Sequence, residues 1–568
     1  MGEKTEPTPL QAALREARRG LAVVGALSLF LNLLVLVSPL YMFQVFDRVL
    51  PSGHVETLIA LTVVAAFAVL VFGMLEVIRR QALLRIGIWL VRRLCEPVLA
   101  ASVGEGLGGR ANGGQPLRDL AQLRGFIGSE SVFPIFDAPW TLVFIAVIWL
   151  LHPWLGALAL ASSVVLFALA LGNELVMREP LKLANERWMA AQWRGETAVR
   201  NAEVVHAMGM LPALLRGWHS DNDQVLGQHA LAGERGAVMV GVAKFLRLFV
   251  QIGVLGLGAY LVLEGELTGG GMIAGSILLS RALAPVEQAI GAWKGLVAAR
   301  ASYDRLQLLL ARYPDRAPAL RLPEPQGRVS VERLAFKTAV GRVILKNVTF
   351  ELPAGEVLAV VGPSGSGKST FCRLVTGVWP PASGSVRLDG AEVHTWDRAD
   401  FGRHVGYLPQ EVALFAGTVR DNIARMADAP DEAVIDAARR AGGHEMILRL
   451  PEGYATEIGP QGAVLSGGQR QWIGLARAMF GHPCLVVLDE PNASLDQAGE
   501  AALVDAIGRL KAHGTTVILV AHRPSLLVDV DKLLVMRDGA GVLFGPRDEI
   551  LPRLMVQRHA RAVTAAGS

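Results

Sequence analysis

Three cysteines in 568 residues, Cys95, Cys372 and Cys484, show neither paired nor metal-ligand spacing. That scarcity excludes a disulfide-stapled scaffold and a zinc site, and a reducing cytosol suits the chain. Charge is also thin: 19% of residues are charged, the formal net charge is +4, and no long lysine or arginine run occurs, so nothing points to nucleic acid as a partner. What fills the space is apolar. Hydrophobic residues make up 52% of the sequence and crowd ahead of residue 300, so a chain already too long for one core divides into a membrane half and a soluble half.

Apolar stretches near the roughly 20 residues that cross a bilayer fall at about 21–43, 57–78, 136–151, 154–172, 243–263 and 270–290, which predicts six spans. Between the third and fourth, "LHPWLG" breaks one apolar block at His152 and Pro153 into a tight helical hairpin. Basic Arg15, Arg18 and Arg19 precede the first run, but that run is too long for a signal peptide and lacks a cleavage site, so a retained first span is expected. Arginines and lysines cluster between Arg79 and Arg124 and between Arg178 and Arg235, whereas the opposite connections offer only Arg48. Positive charge stays on the cytoplasmic side, which predicts cytoplasmic termini and two long cytoplasmic segments. Mixed-charge, helix-forming sequence such as "RWMAAQWRGETAVRNAEVV" then carries membrane helices into the cytosol. Arg281 falls some way into the sixth span, at roughly 15 Å depth by helical rise. It either lines a translocation path or, with Pro285 and Glu287 closing the span, snorkels to the cytoplasmic side.

"RYPDRAPALRLPEPQGRVS" is rich in proline and charge and reads as a boundary. The expected organisation is a cytoplasmic segment at 1–20, a membrane domain at 21–311, a linker at 312–328 and an α/β domain at 329–568. In that last part, "GEVLAVVG" is a buried strand running into "GPSGSGKST": Gly362, Pro363, Ser364, Gly365, Ser366, Gly367, Lys368, Ser369 and Thr370, with a helix from Ser369. This is the context of a phosphate-binding P-loop. Its glycines let backbone N–H groups turn inward at the positive end of a helix. Lys368 is expected to contact the terminal phosphates of ATP, and Ser369 to bind Mg2+. "CLVVLDEP" supplies a second strand, with Asp489 as metal ligand and Glu490 as the general base that orients the attacking water. Gln410 can reach both metal and water. His522, at the end of "TTVILVAH", can hydrogen-bond the γ-phosphate.

Phosphate loop, glutamine loop, "LSGGQ" from Leu465, "LVVLDE", "SLD" ending at Asp496 and then His522 is an order that resembles the ATPase domains of ABC transporters along the whole C-terminal half. The resemblance implies that Ser466, Gly467, Gly468 and Gln469, with Asp496, serve the nucleotide held by an opposite subunit, and hence a homodimer with two shared sites. "TEIGPQG" at Thr456–Gly462 resembles the segment with which exporters sense their cytoplasmic helices. "SPLYMFQVFDRVLPSGHVETL", "FDAPWTLVFIAVIWLLHPWLG", "AMGMLPALLRGW" and "DEPNASLD" are similar to type I secretion ATPases of the PrtD kind.

That likeness implies a six-helix membrane domain with long cytoplasmic extensions fused to an α/β P-loop ABC ATPase domain. It also implies ATP-driven export of an unfolded protein across the bacterial inner membrane, with both termini and the ATPase domain cytoplasmic. The partners implied are a periplasmic membrane-fusion adaptor (HlyD-like), an outer-membrane channel (TolC-like) and the secreted protein. No peptidase-like domain precedes the first span, so leader processing is not expected. The alternatives are an exporter of lipid, peptide or drug-like molecules and, from another class, a nucleotide-gated channel or regulator, against which Glu490 and His522 speak. One departure stands out: alignment of "LAFKT" with the family's aromatic loop puts Thr338 where a tyrosine usually stacks on adenine, unless Phe336 or another aromatic replaces it.

Overall fold

The computed structural model describes residues 7–108, 114–314, 322–338, 341–459 and 462–553, with the backbone alone at Arg178. The chain forms two compact units, Met1–Asp315 and Arg316–Ser568. The first is built from helices: α1 (Pro9–Val35), α2 (Val37–Gln44), α3 (Leu50–Ser52), α4 (Val55–Leu107), α5 (Gln115–Ile127), α6 (Phe133–Asp137), α7 (Trp140–Leu151), α8 (Pro153–Arg200), α9 (Ala202–Ala207), α10 (Leu211–Leu263) and α11 (Gly269–Arg312). Among the described residues five helical stretches are long and apolar enough to cross a membrane, and a sixth span arises if the segments Glu130–Asp137 and Trp140–Leu151 count as one. Those two are bent by 51°. Pro139, at the break, has no N–H with which to continue the helical ladder, so the third expected span is broken rather than straight. The hairpin at His152 and Pro153 lies where expected, between α7 and α8.

At 1.5 Å per residue the 53-residue helices α4 and α10 reach about 80 Å, well beyond the roughly 30 Å hydrocarbon core. Helix therefore runs on from the apolar stretches, but the long segments are each divided, the first between α4 and α5 and the second among α8, α9 and α10. α11 passes through Pro285 to Arg312, and Glu287 is paired with Arg247 of α10 at 2.8 Å, so these two residues do not end the helix. Arg281 faces a cavity of about 560 Å³ that Asn32, Glu76, Arg79, Asp137 and Gln288 also line. Apolar contact fills the rest of the bundle, with Ile148, Leu155, Leu166, Val254, Leu279 and Leu283 in one core cluster.

Buried charge in this unit is partnered. Arg79, 7% exposed, donates to both oxygens of Asp137 at 3.1 and 3.2 Å and to Ser28 at 3.1 Å, and pairs with Glu76 at 2.8 Å. Asn32 donates to the same Asp137 at 2.9 Å. Further along, Arg305 of α11 grips Asp119 of α5 with two nitrogens, at 2.8 and 2.6 Å, a bidentate geometry that is among the stronger ion pairs.

The second unit contains, in chain order, β1 (Val329–Lys337), β2 (Val343–Leu352), β3 (Val357–Val361), α12 (Lys368–Val375), β4 (Ser383–Leu388), β5 (Ala391–Glu392), α13 (Arg398–His404), β6 (Val405–Leu408), α14 (Val419–Ile423), α15 (Asp431–Ala441), α16 (His444–Leu448), α17 (Gly467–Met479), β7 (Leu485–Asp489), α18 (Gln497–Ala512), β8 (Thr516–Val520), β9 (Lys532–Arg537) and β10 (Ala540–Pro546). A four-stranded antiparallel sheet has the order β2-β1-β4-β5, and a six-stranded sheet the order β10-β9-β3-β8-β7-β6. In the latter β9, β3, β8, β7 and β6 run parallel. Every residue of β7 and β8 is buried, the continuous apolar run expected of strands covered on both faces. Within the expected linker, residues 315–321 lie outside the described residues.

Glycine lets α17 press onto the sheet. A Cβ on Gly406 of β6 would stand 1.9 Å from the Ala478 carbonyl oxygen. Gly406→Ala should therefore cost at least about 1–3 kcal/mol through overpacking, checked as a lowered thermal unfolding midpoint of the soluble unit with the helical unit unchanged.

Candidate functional site

Parallel order puts the carboxyl ends of β3, β8, β7 and β6 side by side, the edge where ligands bind in open α/β sheets. Each end delivers one of the residues singled out from the sequence. β3 stops at Val361 and runs into the Gly362–Thr370 loop, β7 ends on Asp489 and is followed by Glu490, β8 is followed by Ala521 and His522, and Gln410 lies just past β6.

The loop is tightly constrained. Gly365 and Gly367 take φ values of +79° and +97°, open to glycine and strained for other residues. A Cβ on Gly367 would also come within 2.6 Å of Leu345. The helix α12 begins at Lys368, one residue before the expected start. Lys368 is 6% exposed and its ammonium curls back to the carbonyl oxygens of Gly362 and Pro363, each at 3.0 Å. Burial lowers its pKa, against the pull of Glu490 and Asp489. Asp489 is 1% exposed. Burial raises its pKa, opposed by a hydrogen bond from Ser369 and reinforced by Glu490.

Two buried oxygens here, Ser366 Oγ and Asp489 Oδ1, have no hydrogen-bond partner among the described residues. Orphaned polar atoms are costly, and phosphate with a bound divalent cation is chemistry that would satisfy them. No group of three or more His, Cys, Asp or Glu residues that could hold a metal exists among the described residues, so a cation seated by Ser369 and Asp489 needs phosphate oxygens to complete its shell.

Glu490 is the hub of the site. Its Oε2 accepts from Gln410 Nε2 at 3.1 Å, and its Oε1 lies 3.0 Å from His522 Nε2. Three residues far apart in sequence thus meet on one carboxylate. Its backbone has φ +54°, a left-handed conformation costing a non-glycine residue on the order of 1–3 kcal/mol.

The second glycine-bearing loop is held separately. Ser466 is the N-cap of α17 in a capping box: its hydroxyl accepts from Gln469 N at 3.3 Å and its own N–H donates to Gln469 Oε1 at 2.8 Å. Gly467 and Gly468 lie against Ser494, and a Cβ on either would come within 3.4 or 3.1 Å of it. Asp496 caps α18 by accepting from Gly499 N at 2.8 Å. Among the described residues no hydrogen bond or ion pair joins Ser466–Gln469 to Gly362–Thr370. Pro460 and Gln461 of the preceding segment lie outside the described residues.

Thr338 closes the turn between β1 and β2: its N–H donates to Arg342 O at 2.9 Å and its hydroxyl accepts from Arg342 N at 3.2 Å. Phe336 is stacked on Trp379, with centroids 5.0 Å apart and planes 9° apart. Four residues behind the site carry no motif signal of their own: Gln471, which bonds to the Pro491 carbonyl, and Asn492, Glu500 and Arg523, which bond to one another. Their proximity to "LSGGQ", "DE" and His522 was the available signal, but their pairing comes from tertiary contact.

A family model described as "ABC transporter" matches residues 345–493, and one described as "ABC transporter transmembrane region" matches residues 115–285. The chain is 43% identical to the type I secretion system ATP-binding protein PrsD of Rhizobium meliloti (strain 1021), across 100% of this chain and 98% of that one. It is 32% identical to the alpha-hemolysin translocation ATP-binding protein HlyB of Proteus vulgaris and 31% identical to the toxin RTX-I translocation ATP-binding protein of Actinobacillus pleuropneumoniae, each across 92% of this chain and 75% of the relative. A solved structure of a bacterial Atm1-family ABC exporter with ATP bound superposes with TM-score 0.84 at 22% identity, covering 96% of this chain and 98% of the other. The last likeness is one of fold.

Loss of the cap alone should be mild. Ser466→Ala is expected to lower stability by about 0.5–2 kcal/mol, measured by denaturation without nucleotide.

Proposed function

The chain belongs to the ABC transporters of type I secretion, and on that premise we propose that two copies act together in the bacterial inner membrane, with their ATPase domains in the cytoplasm. It is a multi-pass membrane ATPase for ATP-driven protein export. The observation that carries the ATPase reading is the meeting of Gln410, Glu490 and His522 beside the phosphate loop. A lipid, peptide or drug-like cargo is not favoured, because relatives matched along most of the chain are named for secretion and toxin translocation.

In the proposed cycle the Gly362–Thr370 loop cradles the phosphates with backbone N–H groups, and Lys368 turns from its carbonyl partners to the terminal phosphates. Mg2+, held by Ser369, Gln410 and Asp489, would neutralise phosphate charge. Glu490 takes the proton of the attacking water, and His522 holds the γ-phosphate. Ser466, Gly467, Gly468 and Gln469 of one copy, with Asp496, face the nucleotide of the other, since the N-terminus of α17 favours an anion. Nucleotide then touches both copies, so binding favours the closed pair. Hydrolysis removes that differential contact and the pair opens. These shifts drive cargo through the membrane domain towards a periplasmic adaptor and an outer-membrane channel. Arg281 is assigned to the path.

Thr338 cannot supply the family's usual aromatic stack on adenine, so that place falls to Phe336, itself stacked on Trp379, or to another aromatic.

Glu490→Gln should lower Mg2+-dependent hydrolysis by at least about 10²-fold while ATP binding persists, and cells carrying it should retain the cognate secreted protein. Hydrolysis at the wild-type rate would refute the base assignment. Ser466→Phe should block turnover in the dimer. Full-rate hydrolysis by a strict monomer of that variant would show that the sites are not shared.

A further inference from the structure

Glu490 keeps a left-handed backbone, a strained conformation that persists only where surrounding contacts over-determine it. The contacts lie in the next two residues. The carbonyl of Pro491 accepts from Gln471 Nε2 at 2.7 Å, and Gln471, on α17, is 3% exposed. Asn492 Nδ2 donates to Glu500 Oε1 on α18 at 3.0 Å, with the two residues 8% and 9% exposed. The same Glu500 oxygen accepts from Arg523, the residue that follows His522. One chain of bonds, buried at Gln471, Asn492 and Glu500 and exposed at Arg523, therefore ties the helix that begins at Gly467, the turn after Glu490 and the loop carrying His522.

We propose that Gln471 and Glu500 are positioning residues for hydrolysis: they fix the Pro491–Asn492 turn, and through it hold the Glu490 carboxylate in register with His522 and with α17. The proposal rests on Glu490 being the general base. It also gives α17 a route to the carboxylate inside one copy, so an event at the Ser466 end of that helix reaches the hydrolytic group of the same chain. A purely structural role would predict something else, namely loss of folded protein in proportion to loss of activity.

The test uses the full chain in lipid nanodiscs, with steady-state ATP hydrolysis and thermal unfolding measured together. Gln471→Met keeps volume and removes the donor. Glu500→Ala removes the acceptor, and Glu500→Gln restores an oxygen for Asn492. Gln471→Met and Glu500→Ala should lower kcat by at least about tenfold, as small misplacements of a reacting group do, with the KM for ATP within about twofold and the unfolding midpoint unchanged. Glu500→Gln should recover most of the rate. If Glu500→Ala does not fold, Gln471→Met decides. The proposal is overturned by kcat within about twofold of wild type, or by kcat falling only as the unfolding midpoint falls. Glu490→Gln serves as the control: if it stays active the general-base reading fails, and if it is inactive while the positioning variants are not, only the present inference fails.

Discussion

The carboxylate of Glu490 stands at the end of a buried strand on a backbone conformation that an L residue avoids, and two neighbours from other strand ends converge on it. Most of the ATPase unit can be read as support for that arrangement. The parallel order β3-β8-β7-β6 aligns the loops, and burial of β7 and β8 leaves those strands little freedom. Gly406 lets α17 sit close enough for Gln471 to reach the Pro491 carbonyl. Packing density thus becomes positional precision, since a close-packed interior transmits displacement rather than absorbing it.

A related constraint governs the helical unit, where charge must be satisfied in apolar surroundings. Asp137 draws Arg79 and Asn32 from two other helices to the bent third span, and Asp119 draws Arg305 across from α11. Burying a lone ion costs several kcal/mol, so each pair has its partner in place. The cluster around Asp137 lines a cavity that Arg281 also faces. Such a bundle is fixed by few contacts of high specificity, set among many apolar ones of low specificity.

Part of the proposed catalytic set was legible because those members belong to short contiguous motifs whose chemistry dictates their residues. Lys368, Asp489 and Glu490 declare themselves this way, and the spans declare themselves by length and hydropathy. Gln410 and His522 drew meaning only from their order along the chain. The bend near Pro139 and the passage of α11 through Pro285 were less legible, because proline gives the same local signal whether a helix breaks or continues. Neighbouring helices decide between the two.

The sequence alone determined where the long apolar stretches lie, which residues are candidates to handle phosphate and water, and where the glycines of the phosphate loop stand, since these follow from composition and from near neighbours along the chain. Only the tertiary structure decided that Gln410 and His522 share one carboxylate, that Gln471 and Glu500 brace the turn behind it, and that Arg79 belongs to Asp137. Such pairings join residues 8 to 80 positions apart, and their energy depends on distance and burial that no linear pattern encodes.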